Sequence, residues 1–263
     1  MEILVCAKRV PDTSENEIQL NRAGNDIERD DLVYSVNEFD NYAVEEAIQI
    51  AARVGGKVTV VTVGADEDEE ILRRELAMGA NQAALLSDEA FEGSDSEGIA
   101  TALQAFVRKG NYDLILTGAQ ADAGGAQVGG MLAALLDYPF ASLVNSIEVL
   151  DGKKLKVSRE IAGGNREMNE IDLPCVLSIQ TGINQPRYVG MRGIRQVASV
   201  EIPTLGASEL GLAAGSVGEA AAREKRVDYF MPVLGKGAEM LQGSQEEIID
   251  RLIELMKAKG GLN

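Results

Sequence analysis

The chain contains no histidine. That absence removes Ser-His and Cys-His nucleophile pairs, imidazole proton transfer and His-ligated metals together. Cysteine is scarce as well. Cys6 and Cys175 are the only two, each inside an apolar run, so buried free thiols are expected rather than a disulfide or redox pair. No apolar run reaches the roughly 18 residues that a membrane-spanning helix needs, so membrane insertion is not expected. The opening residues MEILVCAK lack the charged, then apolar, then small-residue order of a secretory leader. The expected location is therefore the cytosol or an organelle matrix. Positive charge is in short supply: 25 Lys and Arg stand against 42 Asp and Glu, a formal charge of −17. Such a surface would not displace the counterions of nucleic acid, so no nucleic-acid partner is expected. Two phosphate-binding fingerprints are also missing, since no G-x-G-x-x-G follows the first strand and no G-x-x-x-x-G-K-[ST] occurs. What is present is an ordinary globular balance, 45% hydrophobic over 263 residues, enough to build a core without disulfides or metal.

The apolar pattern predicts an α/β fold. Residues 2–7 (EILVCA), 57–63 (KVTVVTV), 83–86 and 113–117 (DLILT) are short β-rich runs suited to buried parallel strands. Helical spacing lies between them. Ala43, Val44, Ala47, Ile48, Ala51 and Val54 follow Asn37-Glu38-Phe39-Asp40 and stop at Gly55-Gly56. An acidic run at 66–70 suits the positive end of a second helix. Ser94 and Glu97, in capping-box spacing, open a third with Ile99, Ala102, Leu103, Phe106 and Val107 on its core face. A fourth follows the loop 118–130. Alternating strands and helices mean a doubly wound, mostly parallel sheet. Residues 142–149 and 155–159 flank Asp151-Gly152, a hairpin signal that adds antiparallel strands. Arg159 and Glu160 then run into a Gly163-Gly164 turn. A buried strand at 173–180 leads to a Pro-Arg-Tyr corner and a glycine-flanked loop tipped by Met191.

Two parts are expected: an α/β nucleotide-binding domain at 1–199, including the loop 188–197, and an extended C-terminal arm at 200–263. The arm has few large apolar residues until a capping box, Ser244 to Glu247, starts a terminal helix bearing Ile248, Ile249, Leu252, Ile253, Leu255 and Met256. It either docks on a partner chain or folds back on its own domain.

In an open α/β sheet, ligands bind beyond the carboxyl ends of the strands. Ala7 with its loop, Val63-Gly64 and the loop 118–130 meet there. Glycines let a backbone approach a ligand closely, and N–H groups before a helix receive phosphate; Gln120 and Gln127 add neutral donors. The competing reading of 118–130 is a glycine-rich packing turn. As a catalytic site the loop is poor, with Asp122 its only acid and no nucleophile or base nearby. Lys8, Arg9 and Asp12 at the first strand end fit a solvated rim better than a catalytic group.

With these segments placed, the chain resembles the β subunit of the electron transfer flavoproteins over nearly its whole length. The residues that carry the resemblance are A-K-R-V-P-D at 7–12, N-E-F-D at 37–40 with A-V-E-E-A at 43–47, A-M-G-A at 77–80 and the loop 118–130. R-E-I-A-G-G at 159–164, L-P-C-V at 173–176 and N-Q-P-R-Y at 184–188 are the most specific. The resemblance implies an electron-carrier subunit rather than a free-standing enzyme, without catalytic residues or a metal. It would pair with an alpha subunit that carries the redox FAD on a mobile domain, while this subunit holds a structural AMP and forms the platform beneath. Implied AMP contacts are Ala7, Asn37, Glu38, Phe39, Asp40, Val63, Gly118, Ala119, Gln120, Ala121, Asp122, Gly124, Gly125, Gln127, Val128 and Gly129. Tyr188, Met191, Arg192 and Ile194 fall on the family's recognition loop, where an apolar anchor enters a pocket on an acyl-CoA or amine dehydrogenase. Family members usually carry Leu where this chain has Met191. Glu160 matches a position that orients the alpha-subunit flavin domain, and a quinone oxidoreductase or similar acceptor would take the electrons onward.

Electron-bifurcating relatives hold a second FAD in this site and oxidise NADH. They look like N-P-D-D-K where this chain reads N-E-F-D-N, and their nucleotide loop tends to be longer, with D-G-D or D-D-D in place of D-A-G-G. Both differences favour AMP. The alternative from another class is a stand-alone adenine-nucleotide-binding protein of the stress type, against which the missing phosphate motif and the partner-seeking arm weigh.

Overall fold

The computed structural model describes residues 1–263 except 122–124, 226, 234, 236 and 263. Its strands are β1 (Glu2–Cys6), β2 (Arg9–Pro11), β3 (Tyr34–Val36), β4 (Lys57–Val63), β5 (Gln82–Leu86), β6 (Leu114–Gly118), β7 (Phe140–Val149), β8 (Lys154–Ile161), β9 (Asn165–Asp172), β10 (Cys175–Ile179) and β11 (Thr204–Leu205). The helices are α1 (Glu38–Val54), α2 (Glu69–Met78), α3 (Ser96–Val107), α4 (Val128–Leu136), α5 (Met191–Val197), α6 (Ala207–Leu210) and α7 (Gln245–Ala258).

Nine strands form one sheet in the order β11-β5-β4-β1-β6-β10-β7-β8-β9, parallel from β11 through β7 and antiparallel from β7 to β9. The fold is thus the α/β, doubly wound, mostly parallel sheet with added antiparallel strands that the periodicity predicts. The central strands are apolar throughout because both faces are covered. Ile3 and Val5 of β1 join a cluster with Val44, Ala47 and Ile50 of α1 and Leu72 of α2. Leu4 and Cys6 point the other way, into a cluster with Ala102 and Leu103 of α3 and Leu132 of α4. Cys6 and Cys175 are buried and free, and burial pushes both thiols up, Cys175 to about 12.

Chain order matters for the site. From β1 the chain winds outward through β4 to β5, then crosses back to place β6 on the opposite side of β1. Winding therefore reverses between β1 and β6, and the crevice outside their carboxyl ends is the ligand position of such sheets.

Three features differ from the sequence expectation. Residues 165–172 form β9, paired with β8 along its full length, in a stretch after the Gly163-Gly164 turn where no element was expected. β9 is largely exposed and mostly polar, so no apolar alternation announced it. The loop tipped by Met191 is instead the first turn of α5. Past residue 199 the chain also returns to the sheet. Thr204 and Leu205 pair in parallel with β5, and Leu210 and Val217 are buried in the α3 and α4 cluster. Their apolar residues are too widely spaced to form a recognisable period. The structure divides into one unit of Met1–Ile18 with Arg29–Val227 and another of Gln19–Glu28 with Asp228–Asn263. In the second unit, Ser244 accepts a hydrogen bond from the Glu247 amide at 3.3 Å and donates its own amide to the Glu247 carboxylate at 2.7 Å, the expected capping box. No described helix is long and apolar enough to cross a membrane.

Candidate functional site

The loops at the switch point are held together by two side chains from the start of α1. Asp40 accepts the Lys8 amide on Oδ2 and the Gly118 amide on Oδ1, both at 2.8 Å. Asn37 donates its amide to the Lys8 carbonyl and its Nδ2 to the Gln120 carbonyl, each at 2.8 Å. Three segments distant in sequence, leaving β1, opening α1 and leaving β6, are thereby fixed to one another. Both side chains are buried. Burial pushes the Asp40 carboxyl up to about 7, against the opposing pull of the Asn37 side chain and the Gly118 and Lys8 amides. Two inward-pointing N–H donors suit its ionised form.

Glycine is required where the β6 loop passes α1. A Cβ on Gly118 would collide with Asp40 Oδ1 and stand 2.7 Å from the Phe39 Cβ and 2.9 Å from the Asp40 nitrogen. Gly129 in the first turn of α4 is equally constrained, since a Cβ there would lie 2.5 Å from Ser178 Oγ and 2.7 Å from Thr117 Oγ1. Those two buried hydroxyls hydrogen-bond each other at 2.9 Å, and the close approach seats the start of α4 on β6 and β10. At the β4 end, a Cβ on Gly64 would overlap the Asp68 carboxylate.

Of the residues expected at a nucleotide, Ala7 and Ala119 are buried beneath the crevice, with Ala7 donating to the Val61 carbonyl and Ala119 to the Ile179 carbonyl. Asn37 and Asp40 face inward as loop struts, whereas Glu38 is exposed and Phe39 and Val63 are half-buried. Gln120 and Gly125 are exposed, and Ala121, Gln127 and Val128 half-buried. Asp122 and Gly124 lie outside the described residues. Gln127 donates Nε2 to Glu224 at 3.0 Å, while its buried Oε1 has no hydrogen-bond partner among the described residues. Gln127, the N-cap of α4, makes no side-chain cap hydrogen bond among the described residues. The rim residues are otherwise engaged. The Arg9 guanidinium lies 3.7 Å from the Tyr34 ring centre and 3.7 Å from Asp68, and Asp12 accepts from Ser14. Among the described residues no His, Cys, Asp and Glu cluster could hold a metal.

A second cleft, of about 360 Å³, opens beside α5 and is lined by Tyr34, Ile71, Arg73, Arg74, Tyr188, Met191 and Ile194 among others. Tyr188 is 93% exposed and Met191 70%, unusual values for large apolar-bodied side chains. Arg192 is exposed and Ile194 half-buried. Glu160, at the exposed end of β8, accepts from Asn145 at 3.3 Å and Gln180 at 3.4 Å.

Missed at the sequence level were the ties behind α5. Arg187 donates Nε and Nη2 to the two carboxylate oxygens of Glu45 at 2.7 and 2.9 Å, and Asn184 donates to Glu46 and to the Tyr42 carbonyl, both at 3.1 Å. A signal existed: Glu45 and Glu46 sit within an otherwise apolar helical stripe, where buried carboxylates need partners.

Fold and site together define a doubly wound α/β protein with a loop-bound crevice at its switch point. Residues 25–210 match the electron transfer flavoprotein domain model. The chain is 34% identical over 260 residues to the electron transfer flavoprotein subunit beta of Methylophilus methylotrophus, covering 97% of this chain and 98% of that one. It is 36% identical over 261 residues to the subunit beta of Thermoanaerobacterium thermosaccharolyticum, covering 98% and 99%. It is also 36% identical over 263 residues to the caffeyl-CoA reductase-Etf complex subunit CarD of Acetobacterium woodii, covering 98% and 99%. The chain belongs to the electron transfer flavoprotein family, as a relative of its beta subunits, and its role lies in electron transfer.

Proposed function

We propose that this chain is the beta subunit of a heterodimeric electron transfer flavoprotein, holding a structural AMP and supporting the FAD-bearing domain of an alpha subunit. The carrying observation is the strutted crevice, in which Asn37 and Asp40 lock the Lys8, Gly118 and Gln120 backbones around a switch point. Its donor set fits a nucleotide monophosphate. The described loop residues before α4 carry no cationic side chain, the N-cap Gln127 makes no side-chain cap hydrogen bond among them, and Gln120 is exposed. Backbone N–H groups at such a turn receive a phosphate without a metal. Ala7, Glu38, Phe39, Val63 and the loop from Gly118 to Gly129 would hold it. Asn37 and Asp40 are already engaged in holding the loop backbones, so the nucleotide's part would be to tie the loops together. Redox chemistry would come from the alpha subunit's FAD.

Three surfaces would serve the partners. Tyr188, Met191, Arg192 and Ile194 would dock an acyl-CoA or amine dehydrogenase, with Met191 as the apolar anchor. Glu160 would face the alpha subunit's flavin domain. The segment from Asp228 onward would dock on the alpha subunit: Phe230, Met231, Val233 and Met240 are exposed, as are Ile249, Leu252, Ile253 and Met256 of α7. So much exposed apolar area in one unit favours a covered face in the assembled protein. Electrons would pass on to a quinone oxidoreductase or similar acceptor.

Purification of the native complex tests this reading, with the nucleotide released by denaturation and identified by chromatography. AMP and FAD in equal amounts, together with an alpha chain, are expected. A stoichiometric flavin on the isolated beta chain would overturn the AMP assignment and favour a bifurcating complex. A stable homo-oligomer that binds ATP without any alpha chain would favour the stress-type alternative.

A further inference from the structure

Helix α5 is too short to stand alone. It spans Met191–Val197, includes Gly193, and has no fully buried residue. Isolated helices of this length do not pay the entropy of their first turn, so an outside hold must keep α5 formed.

The structure shows two holds, one at each end. Before α5, the corner at 184–187 is bound to the middle of α1. Arg187 meets Glu45 through Nε, Nη2 and its own backbone amide, the last at 3.2 Å, and Gln49 donates to the same carboxylate at 2.9 Å. Glu45 is buried while Arg187 is about half exposed, so the carboxylate is the fixed member of the pair. A bidentate guanidinium pair fixes orientation as well as distance. After α5, Arg73 of α2 donates Nη1 to the carbonyls of Val197, Ala198 and Val200 at 3.0, 3.1 and 3.2 Å. These are carbonyls at and just beyond the helix end, where oxygens lack partners and positive charge is favoured. Glu69, one turn earlier on α2, accepts from Arg73 Nε at 2.7 Å and holds it in place.

We infer that Glu45, Arg187 and Arg73 are positioning residues that clamp α5 from both ends so that Met191 and Tyr188 are presented in a fixed pose to the electron-donating dehydrogenase. This rests on the docking role proposed above. A preformed anchor avoids the ordering cost that a mobile loop would bear on binding. Loosening the clamp should therefore weaken encounter with the donor and leave transfer within the complex intact.

The test uses the native heterodimer and the dehydrogenase recovered with it. Arg73→Gln and Glu45→Gln, made separately at opposite ends, guard against a single misfolded variant. Met191→Ala is the control for docking itself. The expected result is a donor KM raised about tenfold in each clamp variant, with kcat and nucleotide content unchanged, and α5 amide exchange accelerated at least tenfold while α4 is unaffected. If Met191→Ala raises KM and both clamp variants stay within twofold of the unaltered complex, the clamp is refuted and docking stands. If Met191→Ala has no effect either, the docking reading falls and the clamp falls with it. A loss of nucleotide or kcat matching the change in KM would mark general loosening and overturn the positioning role.

Discussion

Replacing Glu75 with glutamine should stabilise the protein, and increasingly so as the pH rises. Glu75 on α2 is completely buried, and neither carboxylate oxygen has a hydrogen-bond partner among the described residues. Burial raises its pKa from 4.5 to about 8; Arg74 opposes this, while Asp40 and Glu45 add to it. Between those two values the folded chain holds a proton that the unfolded chain has released. Stability is therefore fully present below about pH 4.5 and declines as the pH climbs toward 8, by about 1.4 kcal/mol per unit for one group. Between pH 5 and 7.5 that amounts to at most about 3 kcal/mol. Glutamine has nearly the same size, is neutral and does not titrate, so the variant escapes the decline. Urea unfolding followed by circular dichroism at pH 5, 6, 7 and 7.5, with both proteins at one ionic strength, isolates the effect, because other titrating groups are common to both. The stability difference should be smallest at pH 5 and grow steadily in the variant's favour. A difference that is flat across this range would show that Glu75 is solvated or paired, and would refute the reasoning.

Other outcomes follow from the same contacts. Asp40→Asn, assayed at pH 8, leaves one acceptor for two amides; exchange at Lys8 or Gly118 should rise at least tenfold and bound nucleotide should fall, and unchanged values in both would refute the strut role. Gly129→Ala forces a methyl group against the Thr117 and Ser178 hydroxyls and should cost about 1–3 kcal/mol, read as a lowered thermal midpoint. Glu160→Ala should alter solution scattering of the heterodimer and the electron-transfer rate, and identical curves with identical rates would remove Glu160 from the flavin-domain contact.

The parallel strands were legible because their residues are apolar on both faces, as in residues 57–63, and the helices between them because Ala43 to Val54 keep helical spacing. The switch-point crevice was legible only as a meeting of loops. That Asn37 and Asp40 point inward depends on where Lys8, Gly118 and Gln120 lie in space, 32 to 83 residues away from them in some cases. β9 was invisible because its only apolar residues, Met168 and Ile171, fall on opposite faces of a mostly polar edge strand and make no apolar alternation. The loop at Met191 proved helical for a similar reason: seven residues with one glycine have little intrinsic preference, and Arg73 and Arg187 supply what the local sequence does not.

The sequence by itself determined the layered α/β architecture, the burial of both cysteines, the exclusion of histidine chemistry and the resemblance to one family. These follow from composition and from periods shorter than a helix turn or two, which need no partner to be read. Tertiary structure alone decided which polar residues act as struts, where α5 is held, and that the chain beyond Val200 rejoins the sheet and stays in the first unit to Val227. Each of those rests on pairs far apart in sequence, whose energy depends on a distance that only the folded chain sets.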